Sequence, residues 1–173
     1  MHNKLPIRKH PRLKKYDYSQ NGYYHIIICT LNKQPILSKV VVGRGLAPAE
    51  IELSPIGVIV EEQLLKLSER YPYVNIDKYV IMPTHIHAII TLVITNINDA
   101  AGASPRPTVM DIVCAFKSIS TRLCNKYDNV QGRQIWQESF YDEVIQTSEA
   151  YNNIWQYIDN NPAKWVEDRY YVE

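Results

Sequence analysis

The sequence predicts an α+β domain in which an antiparallel sheet of about four strands carries packed helices in the ferredoxin-like manner. Three observations carry this expectation. Residues 23–30, 74–82, 85–92 and 135–145 have the β-branched and aromatic character of strands, and residues 56–71, 108–127 and 148–161 repeat apolar side chains at helical spacing. The two kinds of segment alternate as β, helix, β, β, helix, β, helix. With 173 residues and 46% hydrophobic content, the chain is of a size to bury one core. Residues 1–20 are expected to form a basic N-terminal arm and residues 21–173 a single domain.

Residues 23–30 (YYHIIICT) read as a buried strand that starts the sheet. Two short β-prone runs, around 40–42 and 51–53, flank a stretch with Gly43, Gly45 and Pro48 and suggest a peripheral hairpin. Ser54 followed by Pro55 is an N-cap and first-turn proline, and Ile56, Ile59, Val60, Leu64, Leu67 and Tyr71 define one amphipathic helix ending near Pro72. Strands over 74–82 and 85–92 flank Pro83-Thr84 and are expected to pair antiparallel. Residues 95–107 have loop composition. Thr108 and Asp111 then form a capping-box start to a second helix, whose buried stripe should be Val109, Ile112, Val113, Phe116, Ile119, Leu123 and Tyr127. A fourth strand is expected within 135–145, and a third helix from Ser148 and Glu149 to the Asn161-Pro162 boundary.

Net charge is only +1, so the overall balance does not mark a nucleic-acid binder. Its distribution is more informative, because residues 1–15 hold Lys4, Arg8, Lys9, Arg12, Lys14 and Lys15 and no acidic residue. Such a run is either a solvated tail or a local field for a phosphate backbone. Cys29, Cys114 and Cys124 are an odd number without close pairing, which fits reduced thiols better than a disulfide framework or a zinc site. No apolar run approaches the roughly 20 residues of a membrane span, and the first residues lack a secretory apolar stretch, so a cytoplasmic protein without membrane contact is expected.

Strand alternation gives the most specific signal. Ile86, Ala88, Ile90 and Leu92 share one purely apolar face, which must be the core side, so His85 and His87 lie on the other face with Ile89 and Thr91. Two imidazoles at i and i+2 on a rigid strand converge and can bind one divalent metal; surface or hydrogen-bonded histidines are the alternative. That face is expected to be the open one. His25 reads as a satisfied core or interface histidine.

In the third helix Tyr151, Ile154 and Ile158 form the apolar stripe, while Tyr157 and Asn161 stack one turn apart on its edge. A phenol able to attack phosphorus thus sits beside an amide oxygen able to complete a metal site. Most of the 13 tyrosines must be packing or surface residues, and Tyr157 could be one of them. Phosphodiester cleavage nevertheless needs both a cation to neutralise the non-bridging oxygens and an in-line nucleophile. Tyrosine suits cutting followed by rejoining, because its phenol, with a reference pKa of about 10, leaves phosphorus far more readily than a sugar alkoxide.

The run Met82-Pro83-Thr84-His85-Ile86-His87 resembles the His-hydrophobic-His (HUH) motif of single-tyrosine transposases. Trp136-Gln137, Ser139-Phe140-Tyr141-Asp142 and Tyr157-Ile158-Asp159-Asn160-Asn161-Pro162 extend the likeness. Tyr16-Asp17-Tyr18, Gly22-Tyr23-Tyr24 and Phe116-Lys117-Ser118 narrow it to REP-associated tyrosine transposases. The resemblance implies an HUH endonuclease-like fold in which His85, His87 and Asn161 ligate Mg2+ or Mn2+, and Tyr157 forms a 5′-phosphotyrosine and releases a 3′-hydroxyl. Asn161 stands where relatives often have glutamine, and Thr84 where they often have Asn or Glu.

The resemblance also implies a partner: single-stranded DNA folded into a short hairpin, at a repeated extragenic palindrome (REP) or a transposon end. Candidate DNA contacts are Arg8, Lys9, Arg12, Lys14 and Lys15 of the arm, with Lys117, Arg122 and Lys126 on the exposed side of the second helix. Two other readings stand beside this one, an RNA-platform sheet and a transposase-derived regulator that binds single strands without cutting. Monomer and homodimer are both compatible with the sequence.

Overall fold

In the computed structural model, residues 13, 16–41, 49–94 and 107–172 are described. The arm residues Arg8, Lys9, Arg12, Lys14 and Lys15, and nearly all of the two expected loops, lie outside them. The β-branched run after Asn21 forms β1 (Gly22–Cys29), and the peripheral hairpin is β2 (Ser38–Val41) paired antiparallel with β3 (Glu50–Leu53). Ser54 caps α1 (Pro55–Leu65), its hydroxyl accepting from Gly57 N at 3.0 Å. The single helix expected to reach Tyr71 is broken at Lys66, where the chain tightens before the one-turn α2 (Leu67–Arg70).

β4 (Val74–Ile81) and β5 (His85–Leu92) form the expected antiparallel pair, with a bulge between Ile76 and Lys78. The reciprocal Thr108–Asp111 capping box opens α3 (Val109–Tyr127). Its buried stripe differs from the expected one: Ser120 and Cys124 continue it, whereas Ile119 and Leu123 are half-buried and Tyr127 is exposed. Ser120 is accommodated because its hydroxyl donates to Phe116 O at 2.7 Å and accepts the Trp136 indole N–H at 3.0 Å. The fourth strand is shorter than expected. Trp136 makes an isolated bridge to Thr30, and β6 proper is Tyr141–Ile145. Thr147 caps α4 (Ser148–Asn160), and a 3₁₀ turn, Pro162–Glu167, leads into the C-terminal segment.

The sheet order is β4-β5-β1-β6, antiparallel throughout, with β2 and β3 apart. Two crossovers, through α1 and through α3, generate this ferredoxin-like order from the predicted succession of elements. On one face Ile26, Ile28, Ile86, Ala88 and Ile90 pack with Val60, Leu64, Ile112, Val113 and Phe116 of the two crossover helices. Tyr18, which the sequence placed in the arm, belongs to this core beside Tyr24 and accepts Val109 N–H on its carbonyl.

The opposite face is not the open one that the sequence suggested. Every residue of β5 is buried, because Ile89 and Ile145 pack under Ile158 of α4, with Ile154 and Trp155 alongside. A third layer therefore covers the histidine side of the sheet. Among the described residues no helix is long and apolar enough to cross a membrane, and the three cysteines are free.

Candidate active site

His85 and His87 project from the start of β5 into the gap between the sheet and the C-terminal layer, and both are 0% exposed. Their Nε2 atoms are 3.0 Å apart. The bonds behind the His85 ring decide which of its nitrogens holds the proton. Thr84 Oγ1 donates to the Tyr170 carbonyl at 3.0 Å, so its lone pair takes the proton of His85 Nδ1 at 3.1 Å. His85 Nε2 is then a bare lone pair. His87 Nδ1 faces His25 Nε2 at 3.2 Å, and His25 Nδ1 lies 3.9 Å from Glu143 Oε2 with no hydrogen-bond partner. With His87 Nδ1 as donor to His25, the chain Glu143–His25–His87 frees His87 Nε2 as well, the outer-shell arrangement that fixes a metal-ligating tautomer.

With both Nε2 atoms bare, lone pairs facing each other at 3.0 Å repel and a cation between them would relieve it; with the proton on His87 Nε2 the same contact is a hydrogen bond to His85 Nε2. Asp168, from the segment after the 3₁₀ turn, brings Oδ2 to 3.9 Å of His85 Nε2, and its other oxygen accepts Tyr170 N–H at 2.6 Å. His85, His87 and Asp168 each offer a ligand atom within 4.8 Å of the others. Asn161, at the C-cap of α4, is 3% exposed, and its Oδ1 is buried with no hydrogen-bond partner. Two imidazole nitrogens and a carboxylate so placed could together hold a divalent cation.

Electrostatics favour the same state. Burial pushes the His85 imidazole down to about 3 and His25 to about 4, and it holds His87 well below the ordinary histidine value, so all three rings are neutral at pH 7. Neutral imidazole is the ligating form.

Tyr157 stands over this cluster. Its ring meets His87 edge-on with centroids 5.2 Å apart, yet 46% of the residue is exposed. Burial raises the phenol pKa and the Asp168 carboxylate raises it further, while a hydrogen bond from Asn161 and the Arg169 guanidinium oppose the rise. A cavity of about 480 Å³ opens here, lined by Tyr157, Asn161, Lys164, Glu167, Asp168 and Arg169, with Asn153, Gln156 and Asn160 along the helix. A phosphate entering it would meet the Tyr157 phenol and the basic Lys164 and Arg169, with the carboxylates Glu167 and Asp168 on the same wall.

The four residues expected from the sequence thus converge. Lys117 behaves otherwise than as a free surface cation: Nζ donates to Gln137 O at 2.6 Å and Glu138 O at 2.8 Å. Arg122 is exposed and, with Lys126 and Arg133, lines a second cavity of about 560 Å³ at the end of α3. Sequence reasoning missed Asp168 and Arg169, which follow the helix boundary without periodic signal. It also left His25 out of the site, although strand parity puts it on the histidine face.

The IS200-like transposase family model matches residues 18–161. A protein of Haemophilus influenzae (strain ATCC 51907 / DSM 11121 / KW20 / Rd), known only as uncharacterized, is 30% identical over 177 residues, spanning 96% of this chain and 94% of that one. Among solved structures, a REP-associated tyrosine transposase bound to a REP hairpin aligns with TM-score 0.54 and 17% identity, over 88% of this chain and 74% of that chain. Its likeness is one of fold; the family match over residues 18–161 contains the site described above except for the segment after Asn161. The chain belongs to the IS200-like transposase family.

Proposed function

We propose that this protein is a metal-dependent endonuclease and strand transferase acting on single-stranded DNA that folds into a hairpin, of the REP-associated kind. The observation that carries the reading is the half-exposed Tyr157 phenol packed against a buried, neutral histidine pair whose Nε2 atoms are 3.0 Å apart. The relative bound to a REP hairpin supports the choice of substrate.

In this reading His85, His87 and Asp168 hold Mg2+ or Mn2+, with the unpartnered Oδ1 of Asn161 as a further donor. The cation supplies charge neutralisation at a non-bridging phosphate oxygen. Tyr157 Oη bonds to phosphorus as the P–O3′ bond breaks. The electron pair leaves with O3′, which takes a proton from water, and the phenolic proton passes to solvent. Attack of a 3′-hydroxyl on the phosphotyrosine reverses these steps and joins strands. Asn161, bonded to the phenol, orients it. Arg122 and Lys126, with the basic arm, contact phosphates, and Lys117 chiefly pins residues 137–138 to α3.

Incubation with a hairpin-bearing single strand and Mn2+ should give a denaturation-resistant protein–DNA adduct. The adduct should vanish with chelator, in Tyr157→Phe and in His85→Ala. A second reading, a regulator that binds without cutting, draws on the complete burial of both histidines beneath the Tyr170 ring, 4.5 Å from His85. Tight hairpin binding with no adduct under either metal would favour it.

A further inference from the structure

Arg169 lines the same cavity as Tyr157, with Lys164 and the carboxylates Glu167 and Asp168 also on its wall. Its guanidinium stacks on the Tyr170 ring at 4.5 Å and hydrogen-bonds the Tyr170 hydroxyl. Tyr170 is itself anchored, its ring 4.5 Å from His85 and its carbonyl bonded by Thr84. Lys33 Nζ donates to the Arg169 carbonyl at 2.9 Å and fixes the backbone from the other side. Among the described residues no carboxylate pairs with Arg169. Of the other described cations, Arg133 pairs with Asp128 at 2.6 Å, Lys78 with Asp159, and Lys117 with two carbonyls, while Lys164 lines the same cavity as Arg169. A guanidinium has five N–H donors in a planar fork, and the phenol occupies one. A positioned cation with spare donors beside a nucleophile is built for an anion.

We propose that Arg169 is a catalytic residue, its guanidinium gripping the non-bridging oxygens of the phosphate that Tyr157 attacks. The proposal rests on the strand-cleavage reading above and adds a protein cation to it. As Oη bonds to phosphorus and the P–O3′ bond breaks, the phosphate passes from one negative charge toward two, spread over its non-bridging oxygens. The fork of Arg169 meets that added charge with N–H donors already aimed, at no reorganisation cost, and keeps its own proton throughout. The same cation opposes the burial that holds the Tyr157 phenol protonated. The opposing interpretation is structural: Arg169 merely clips the C-terminal segment to Tyr170.

Removing the phosphate charge separates the two. Single-turnover adduct formation is measured for wild type, Arg169→Ala and Arg169→Lys, in Mn2+, on a hairpin strand with either a natural phosphodiester or a methylphosphonate at the scissile position. A clamp predicts that Arg169→Ala slows the natural substrate by roughly 100- to 1,000-fold with Lys intermediate, while hairpin Kd moves less than about 3-fold. On the uncharged methylphosphonate the difference between wild type and Arg169→Ala should collapse. Equal slowing on both substrates, or no slowing on the natural one, overturns the proposal while leaving strand cleavage intact. A wild type that forms no adduct on any hairpin strand removes strand cleavage, and the clamp with it.

Discussion

His25 Nε2 lies 3.2 Å from His87 Nδ1, so the ring that faces the candidate metal position is itself held from behind by a third buried imidazole. At the proposed metal site its contribution would be orientation rather than ligation. His25→Ala should weaken Mn2+ binding by roughly 10- to 100-fold, the usual effect of losing such a partner, with the fold retained. Titration of the protein with Mn2+ followed by its free-ion electron paramagnetic resonance signal reads this directly. Unchanged affinity would show that His87 needs no support from His25.

The three buried histidines also set an acid limit on stability. Their folded values lie below the reference histidine value, near 3 for His85 and 4 for His25, so between about pH 6.5 and those values the unfolded chain binds more protons than the folded one. Stability contributed by each ring is complete above about pH 6.5 and is lost as pH falls, by up to ~1.4 kcal/mol per pH unit per ring. In chelator, urea midpoints measured from pH 7 to 5 should fall. The slope should be shallower by about one ring's share in His25→Asn, and an identical slope would contradict the assignment.

Lys117 and Arg122, two predicted DNA contacts on one helix, should respond differently to truncation. Lys117→Ala removes two hydrogen bonds that tie residues 137–138 to α3, and is expected to cost about 1–3 kcal/mol of stability. Arg122→Ala should leave the melting temperature unchanged, weaken hairpin binding, and reduce the salt slope of log Kd by about 1. Thermal denaturation and salt-dependent binding together distinguish the roles. A stable Lys117→Ala with a reduced salt slope would make Lys117 a phosphate contact instead.

Gly57 sits where α1 meets the loop before β2, and a Cβ built there would approach Leu37 O to 1.9 Å. The clash is with backbone, so the helix must shift. Gly57→Ala should lose about 3 kcal/mol, lowering Tm by roughly 6–12 °C. An unchanged Tm would mean that the α1 entrance is free to move.

The sheet was legible where local chemistry dictated it. The Ser54-Pro55 start, the Thr108–Asp111 box and the alternation of His85–Leu92 each rest on interactions within a few residues, and each is present in the structure. What failed depended on distant partners. The stripe of α3 follows Ser120 because Trp136 donates to it from sixteen residues away, and nothing in the helix's own spacing announces that bond. Strand alternation correctly separated the histidines from the core side, but their complete burial comes from α4 and residues 162–172 folding over them. Asp168 and Arg169 belong to that cover, and no periodicity marks them. His25 had the right strand parity, yet its contact with His87 is a diagonal set by the pairing of His25 with Ile89 and of Ile27 with His87, a register the sequence does not state.

The central claim is that Tyr157, alone among the tyrosines near the histidine cluster, becomes bonded to DNA. Tyr141 and Tyr157 both have rings 6.4 Å from that of His25, and Tyr151 lies on the same helix as Tyr157, so loss of activity in one variant is less direct than locating the bond. The adduct formed with a hairpin strand in Mn2+ can be digested with nuclease and protease and its peptides fragmented by mass spectrometry. A residual nucleotide mass on Tyr157 is the predicted result. The same mass on Tyr141 or Tyr151, with Tyr157 unmodified, would contradict the account.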